Sequence, residues 1–395
     1  MVAVRAPAAR PVLFTAMAVC SGATVANVYL SQPLLDLFAR GLGVSPAAAG
    51  SVVTCAQFGY AAGILFLVPL GDARRRRPLL TGMLAATVVM LLVAAAAPGL
   101  GLLAAAAALA CGATVVPQVL VPLAAELAPP ERRASVVANI QIGLMTGIIG
   151  ARVVGGVVGE AMGWRAVYLL AAALTGLTGL VTVNLLPAEE KRDGVPYLRL
   201  LASLPGVWRR EPVLRHACLV HGALFGAYNA TWTTLVLVLT HDPYDYGSAK
   251  AGLFGLLGLS GAVAAPWAGR FVDRRGAAPI LTAAAVLTLV AAGAYAAGRS
   301  VLACMVAAIL LGNLAVQWSQ IANQARIFTH VPHARSRANT VYMVAAFLSG
   351  ALSAALASAV YGTCGWGGVC AVQALLALAG LAVIPAVRRH DTKGT

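Results

Sequence analysis

Long apolar stretches separated by short polar breaks dominate this chain. Crossing a bilayer as a helix takes about 20 apolar residues. Measured against that length the sequence divides into twelve spans, near 11–38, 46–71, 78–98, 100–128, 134–160, 164–186, 213–240, 248–272, 277–298, 300–328, 337–361 and 366–387. Glycine and proline inside them are no objection, because membrane helices tolerate both. The break Gly71-Asp72-Ala73-Arg74-Arg75-Arg76-Arg77-Pro78 carries four consecutive arginines and cannot sit in hydrocarbon. It reads as a short cytoplasmic turn between two membrane helices.

The same turn returns as Gly269-Arg270-Phe271-Val272-Asp273-Arg274-Arg275-Gly276, with Asp72 and Asp273 201 positions apart. A shift of 202 superposes Gly163-Trp164 on Gly365-Trp366, Pro130 on Pro332, Arg133 on Arg335, Gln118 on Gln320 and Asn27 on Asn229. Landmarks from several parts of the half imply parallel repeats of six helices, related by an axis along the membrane normal. The expected fold is an all-α polytopic membrane protein of 12 transmembrane helices in two six-helix pseudo-repeats, residues 1–186 and 213–395. The polar stretch 187–212 between them is a cytoplasmic linker. Its Tyr197-Leu198-Arg199-Leu200-Leu201 segment suits either a short helix in the headgroup layer or an ordinary solvated connection.

Charge sets the orientation. With both termini cytoplasmic, 23 of the 28 basic residues fall on the cytoplasmic side, four fall outside, and Arg152 alone lies within a span. That asymmetry follows the positive-inside rule.

Composition agrees with a membrane protein: 60% of the 395 residues are apolar, 10% are charged, and mean hydropathy is +0.84. The net charge of +15 sits in short loops rather than on one face of a folded domain, which argues against nucleic acid as a partner. The seven cysteines lack CxxC spacing and read as small buried hydrophobes, with Cys364 and Cys370 close enough to one membrane face to pair. The first apolar run continues through Asn27 and Tyr29 to Pro33 without the cleavage pattern of a signal peptide. The excess of arginine over lysine and the abundance of alanine point to a GC-rich bacterial genome, hence to a bacterial inner or plasma membrane. No nucleotide-binding GxxxxGK[ST], no HExxH and no Ser/His/Asp set is present, so neither an ATPase nor an enzyme is expected, and no metal or other cofactor.

The two acidic-basic turns, after spans two and eight, resemble the signature Gly-x-x-x-Asp-Arg-x-Gly-Arg-Arg of the major facilitator superfamily. The second copy matches at Gly269, Asp273, Arg274 and Gly276, with Ala277 and Ala278 in place of the last two basic residues. The first copy keeps Asp72, Arg76 and Arg77 but has Val68, Ala73 and Arg75 at the first glycine, first arginine and second glycine. Ala26-Asn27-Val28-Tyr29, Gln32-Pro33-Leu34-Leu35, Gln118-Val119-Leu120-Val121-Pro122-Leu123, Asn323-Gln324-Ala325-Arg326 and the run from Arg335 to Met343 are similar to the drug:proton antiporter branch, near its arabinose and purine-nucleoside exporter-like members. Antiporters of that branch carry Gly-Pro-x-x-Gly-Gly in the fifth span. Here it reads Ala151-Arg152-Val153-Val154-Gly155-Gly156, an arginine replacing the proline, while Gly143, Gly147 and Gly150 keep the small face for close packing.

The resemblance implies that spans 1, 4, 7 and 10 surround a central cavity. On span ten Asn313, Gln317, Gln320 and Gln324 recur at helical spacing, and on span seven so do His221, Phe225, Tyr228 and Trp232. With Asn27, Tyr29, Gln32 and Gln118 these amides and rings suit a planar organic molecule bound by stacking and hydrogen bonding; the competing reading is glue between the halves. A charge within a span costs ~2.5–3.5 kcal/mol, so Arg152 needs a purpose: it is expected to face Gln32 or Asp36, as an outer gate or an anion contact. Proton carriers are sought among Glu126, His221 and Asp36, Glu126 having Arg132 or Arg133 as alternative partners. Asp72, Arg76, Arg77, Asp273 and Arg274 are expected to act as conformational latches. The expected function is proton-coupled export of a small organic compound by a monomeric secondary transporter in the lipid bilayer. Proton-coupled uptake and a non-transporting membrane sensor are the alternatives.

Overall fold

The structure, a computed structural model, describes residues 9–129, 132–187, 196–331 and 334–391. Among these residues it is all-helical, without a strand. The helices are α1 (Ala9–Tyr29), α2 (Leu35–Leu42), α3 (Pro46–Ala73), α4 (Arg76–Ala95), α5 (Leu100–Ala113), α6 (Val116–Leu127), α7 (Arg133–Met162), α8 (Trp164–Leu185), α9 (Tyr197–Arg210), α10 (Pro212–Leu239), α11 (Ser248–Leu253), α12 (Leu259–Arg275), α13 (Ala277–Ala297), α14 (Leu302–His330) and α15 (Arg335–Asp391). Short 3-10 stretches join α1 to α2 at Gln32–Leu34 and α11 to α12 at Phe254–Gly258.

Among the described residues, ten helical stretches are long and apolar enough to cross a membrane. Two places account for the difference from the twelve spans read in the sequence. Residues 248–275 are cut into α11, a 3-10 stretch and α12, whose last turn carries Arg274 and Arg275, so neither piece qualifies by length and hydropathy. The segments near 337–361 and 366–387 lie within α15, which is two helices meeting at the non-helical Gly365 and is counted as a single stretch. The pair Pro130 and Pro332 lies outside the described residues.

The bend at Gly365 has a counterpart. Gly365 has φ 62° and ψ −159°, and Gly163, between α7 and α8, has φ 83° and ψ 160°. This backbone region is open essentially to glycine alone. Each glycine precedes a tryptophan that anchors the next helix. Trp164 packs edge-on against Phe38 at 5.5 Å, and Trp366 donates its indole N–H to the Tyr295 carbonyl at 2.7 Å.

Large apolar side chains such as Leu169, Leu177, Leu180 and Leu375 remain exposed along the helices, the surface a lipid-embedded helix presents. α9 forms within the polar linker, buries Leu204 and Val207, and donates the Tyr197 hydroxyl to the Phe66 carbonyl at 2.9 Å. Leu198 and Trp208 stay exposed.

Early and late helices meet along two seams. α3 packs along α15, where Tyr60 meets Phe347 edge-on at 4.5 Å, and touches α10, where Gln57 Nε2 donates to Asn229 Oδ1 at 2.8 Å. α7 packs against α11 and the following 3-10 stretch at one end, but barely touches α12 toward the other. The molecule is therefore closed at the Arg152 end and open at the Arg76 end.

Gly365→Ala should lower the unfolding temperature in detergent, since a Cβ in that backbone region costs about 1–3 kcal/mol. Gly163→Ala should behave alike, because no neighbouring atom lies within 4 Å of either added Cβ and the penalty comes from the backbone alone. Thermal unfolding of both variants beside wild type checks this.

Candidate functional site

At the closed end one side chain organises the contacts. Arg152 projects from α7, is 2% exposed, and meets residues from the α1–α2 junction and from α10. Its Nε donates to Gln32 Oε1 at 3.2 Å and its Nη2 to the Tyr228 hydroxyl at 3.0 Å. Tyr228 in turn donates to Asn313 Oδ1 on α14 at 3.1 Å. The guanidinium carbon sits 3.7 Å from the ring centroid of Trp232 and 5.4 Å and 5.8 Å from those of Tyr29 and Tyr228. A desolvated cation–aromatic contact of this kind contributes ~2 kcal/mol. Asp36 takes no part: it pairs with Arg40 on its own helix at 2.8 Å.

The backbone facing Arg152 is shaped to receive it. Gly252, at the end of α11, and Gly255 and Gly258, in the 3-10 stretch, recur every third residue and face it, while the next in the series, Gly261 of α12, faces α14. A Cβ on Gly252 would lie 2.6 Å from the Arg152 carbonyl oxygen, and one on Gly255 2.7 Å from Arg152 Cβ. The glycine ridge thus lets two helices meet at backbone distance. Nearby, Glu160 at the end of α7 accepts the backbone N–H of Ala249 in the first turn of α11 at 2.6 Å. Neither Glu160 nor the ridge stood out in the sequence reading, although the G-x-x-G-x-x-G-x-x-G spacing was there to be found.

At the open end a cavity of about 390 Å³ lies between α3, α4 and α6 on one side and α14 and α15 on the other. Its polar lining includes Gln118, Arg76 and Glu126 opposite Arg335, Ser336 and Asn339. Arg76 grips Glu126 through two parallel bonds, Nη1 to Oε2 at 2.7 Å and Nη2 to Oε1 at 2.8 Å. The arginine side chain is buried and the carboxylate is half-exposed to the cavity. Arg132 and Arg133, the partners expected as alternatives, are exposed at the start of α7.

The remaining sequence candidates scatter. Asn27 turns away from this cavity and donates to Thr114 Oγ1 at 3.1 Å and Thr175 Oγ1 at 3.2 Å, tying α1 to the α5–α6 junction and to α8. His221 is sealed between α14 and α15, its Nδ1 3.0 Å from Ser319 Oγ and its ring stacked on Tyr342 at 5.1 Å. Phe225 bridges the Tyr228 ring at 6.4 Å and the Phe347 ring at 5.2 Å. Gln317 faces Gly261 of α12, Gln320 is half-buried, and Gln324 reaches Asn339 at 3.5 Å. Arg77 is half-buried and Arg274 exposed, while the side chains of Asp72 and Asp273 lie outside the described part of the structure. All seven cysteines are free, Cys364 and Cys370 included. Among the described residues no cluster of His, Cys, Asp or Glu could hold a metal ion.

Known proteins are similar to this chain in sequence or in fold. A transporter of Streptomyces coelicolor described as "Probable transporter SCO4007" is 46% identical over 90% of this chain and 83% of its own length. The Escherichia coli O157:H7 protein described as "Uncharacterized transporter YgaY" is 36% identical over 94% of this chain and 95% of its own. Among solved structures, a mutant of the nucleoside transporter NupG superposes with a TM-score of 0.76 at 14% identity, covering 95% of this chain and 98% of that one. A structure of the peptide transporter POT with sulfate gives 0.74 at 15% identity, with 95% of each chain covered. At such identities these two likenesses concern the fold alone. Residues 14–332 match the profile of the Major Facilitator Superfamily, and together with the two relatives that match establishes that this chain belongs to the superfamily.

Proposed function

We propose that this protein is a proton-coupled secondary transporter that exports a small organic compound by alternating access. The observation that carries this reading is the asymmetry of the interior: Arg152 and its rings seal one end, while a polar cavity of about 390 Å³ opens at the other. An alternating-access machine caught with one gate shut has this shape. In this reading the membrane unit has twelve spans, α15 contributing two across Gly365 and the α11–α12 stretch one. They form two six-helix bundles, residues 1–186 and 213–395, joined by the 187–212 linker. The paired positive-φ glycines at 163 and 365 support the repeat. The arginines around the open end support placing it, with both termini, in the cytoplasm of a bacterial inner membrane, so this state faces inward.

Glu126 is the proton carrier in this scheme. Its carboxylate reaches the cavity and holds Arg76, so protonation would neutralise one partner and loosen α4 from α6. His221 lacks that access, and Asp36 lies with Arg40 near the sealed end. The substrate fits between Gln118, the half-buried amides of α14 and the α10 rings, which are packed into the gate in this state and freed when it opens. Such walls suit a compact planar solute such as a drug, a nucleoside or a sugar-like metabolite.

In inside-out vesicles energised by a proton gradient, screened with aromatic drugs, nucleosides and sugars, wild type should accumulate the substrate and Glu126→Gln should not. The same variant should still exchange labelled for unlabelled substrate, because only the coupling is removed. Accumulation confined to right-side-out vesicles would replace export by uptake. Arg152→Gln should lower transport by about ten- to a hundredfold, the cost of losing its charge-assisted bonds across the gate. Unchanged initial rates in that variant would remove Arg152 from the mechanism.

A further inference from the structure

The sealed end holds more hydrogen-bond donors than acceptors. A cavity of about 10 Å³ is lined by Gln32, Arg152 and Trp232 with apolar Pro33, Leu235 and Val236 around them. That is room for roughly one water-sized sphere. Gln32 is 2% exposed and Trp232 5%, and Gln32 Nε2 and Trp232 Nε1 are both buried without a hydrogen-bond partner. The orientation of the Gln32 amide is fixed, since its oxygen must face the Arg152 Nε donor at 3.2 Å. Its NH2 group is thereby left as a donor. Arg152 has no carboxylate within ion-pair distance among the described residues.

Two unpaired neutral donors and a guanidinium without a counter-ion among the described residues therefore line one small cavity. Leaving such groups unpaired is costly, and an unpaired buried charge is the costliest of them. A water molecule could accept from both N–H groups, but it would leave its own two donors unpaired and the positive charge uncompensated. An anion would satisfy the indole N–H and the amide N–H and neutralise the guanidinium at once. We infer that the sealed end is a binding site for a small monovalent inorganic anion of halide size, held by Gln32, Trp232 and Arg152. The volume excludes a bulky organic acid in this state. The anion joins the α1–α2 junction, α7 and α10, so it stabilises the closed gate.

The test measures binding and needs no transport. Purified protein in lipid nanodiscs is moved from chloride into gluconate at constant ionic strength and titrated with chloride, bromide or benzoate while thermal unfolding is followed. Chloride and bromide should raise the midpoint saturably, by about 2–4 °C at roughly tenfold the half-saturating concentration. Gln32→Glu places a fixed carboxylate beside Arg152; it should unfold at a higher temperature than wild type in gluconate and lose the chloride response. Trp232→Phe keeps a ring under the guanidinium but lacks the indole N–H. Its half-saturating chloride concentration should rise by about three- to tenfold. Equal midpoints in all anions, or an undiminished chloride response in Trp232→Phe, would overturn the assignment. A response to benzoate without one to chloride would overturn the halide-sized site.

Discussion

A buried guanidinium whose contacts are rings and amides is the constraint around which this molecule is arranged. Arg152 cannot be left bare in an apolar interior, where an uncompensated charge costs several kcal/mol. Gln32, Tyr228 and Trp232 supply its surroundings, and they come from helices early and late in the chain. Satisfying Arg152 therefore requires the two parts of the chain to come together at this end. The contact is made by cation–aromatic stacking and by charge-assisted hydrogen bonds to the neutral acceptors Gln32 and Tyr228, with no carboxylate paired to Arg152 among the described residues.

The opposite end is built on a different kind of contact. Arg76 and Glu126 form a bidentate ion pair between α4 and α6, neighbours in the same half of the chain, with Arg335 and Asn339 across the cavity. Here the charge is compensated locally and the two parts of the chain stay separate. One end thus gains its closure from an interaction that spans the molecule, and the other stays open because its strongest interaction does not.

Much of this was legible in the sequence, and the reasons differ by feature. The apolar helical spans follow from hydropathy, which a bilayer imposes along the whole chain, and the breaks at Gly163 and Gly365 from a glycine conformation that no other residue easily adopts. That Arg152 meets Gln32 follows from depth along two helices. Rotation about a helix axis was harder to read. Asn27 shares its helix with Tyr29 yet turns to Thr114 and Thr175, and His221 lies on the α10 stripe that reaches the gate but is buried against Ser319 and Tyr342. Helical spacing says that side chains share a face; it does not say which neighbour that face meets. The interruption at Phe254–Gly258 is also a tertiary outcome, because hydropathy does not register a change of helix type.

The backbone differs on the two sides of the Arg152 contact. α7 runs unbroken from Arg133 to Met162, whereas the irregular backbone lies across the seam, in the 3-10 stretch at Phe254–Gly258. Three glycines there let the two sides meet closely: Gly252 on α11 lies against the Arg152 carbonyl, and Gly255 and Gly258 in the 3-10 stretch lie against the base and the tip of its side chain. Gly261, one turn on in α12, faces Asn313 and Gln317 of α14 instead. A side chain at Gly252 or Gly255 would push α7 away and with it the guanidinium from Tyr228 and Trp232, so the close approach of these two segments and the burial of Arg152 are one requirement.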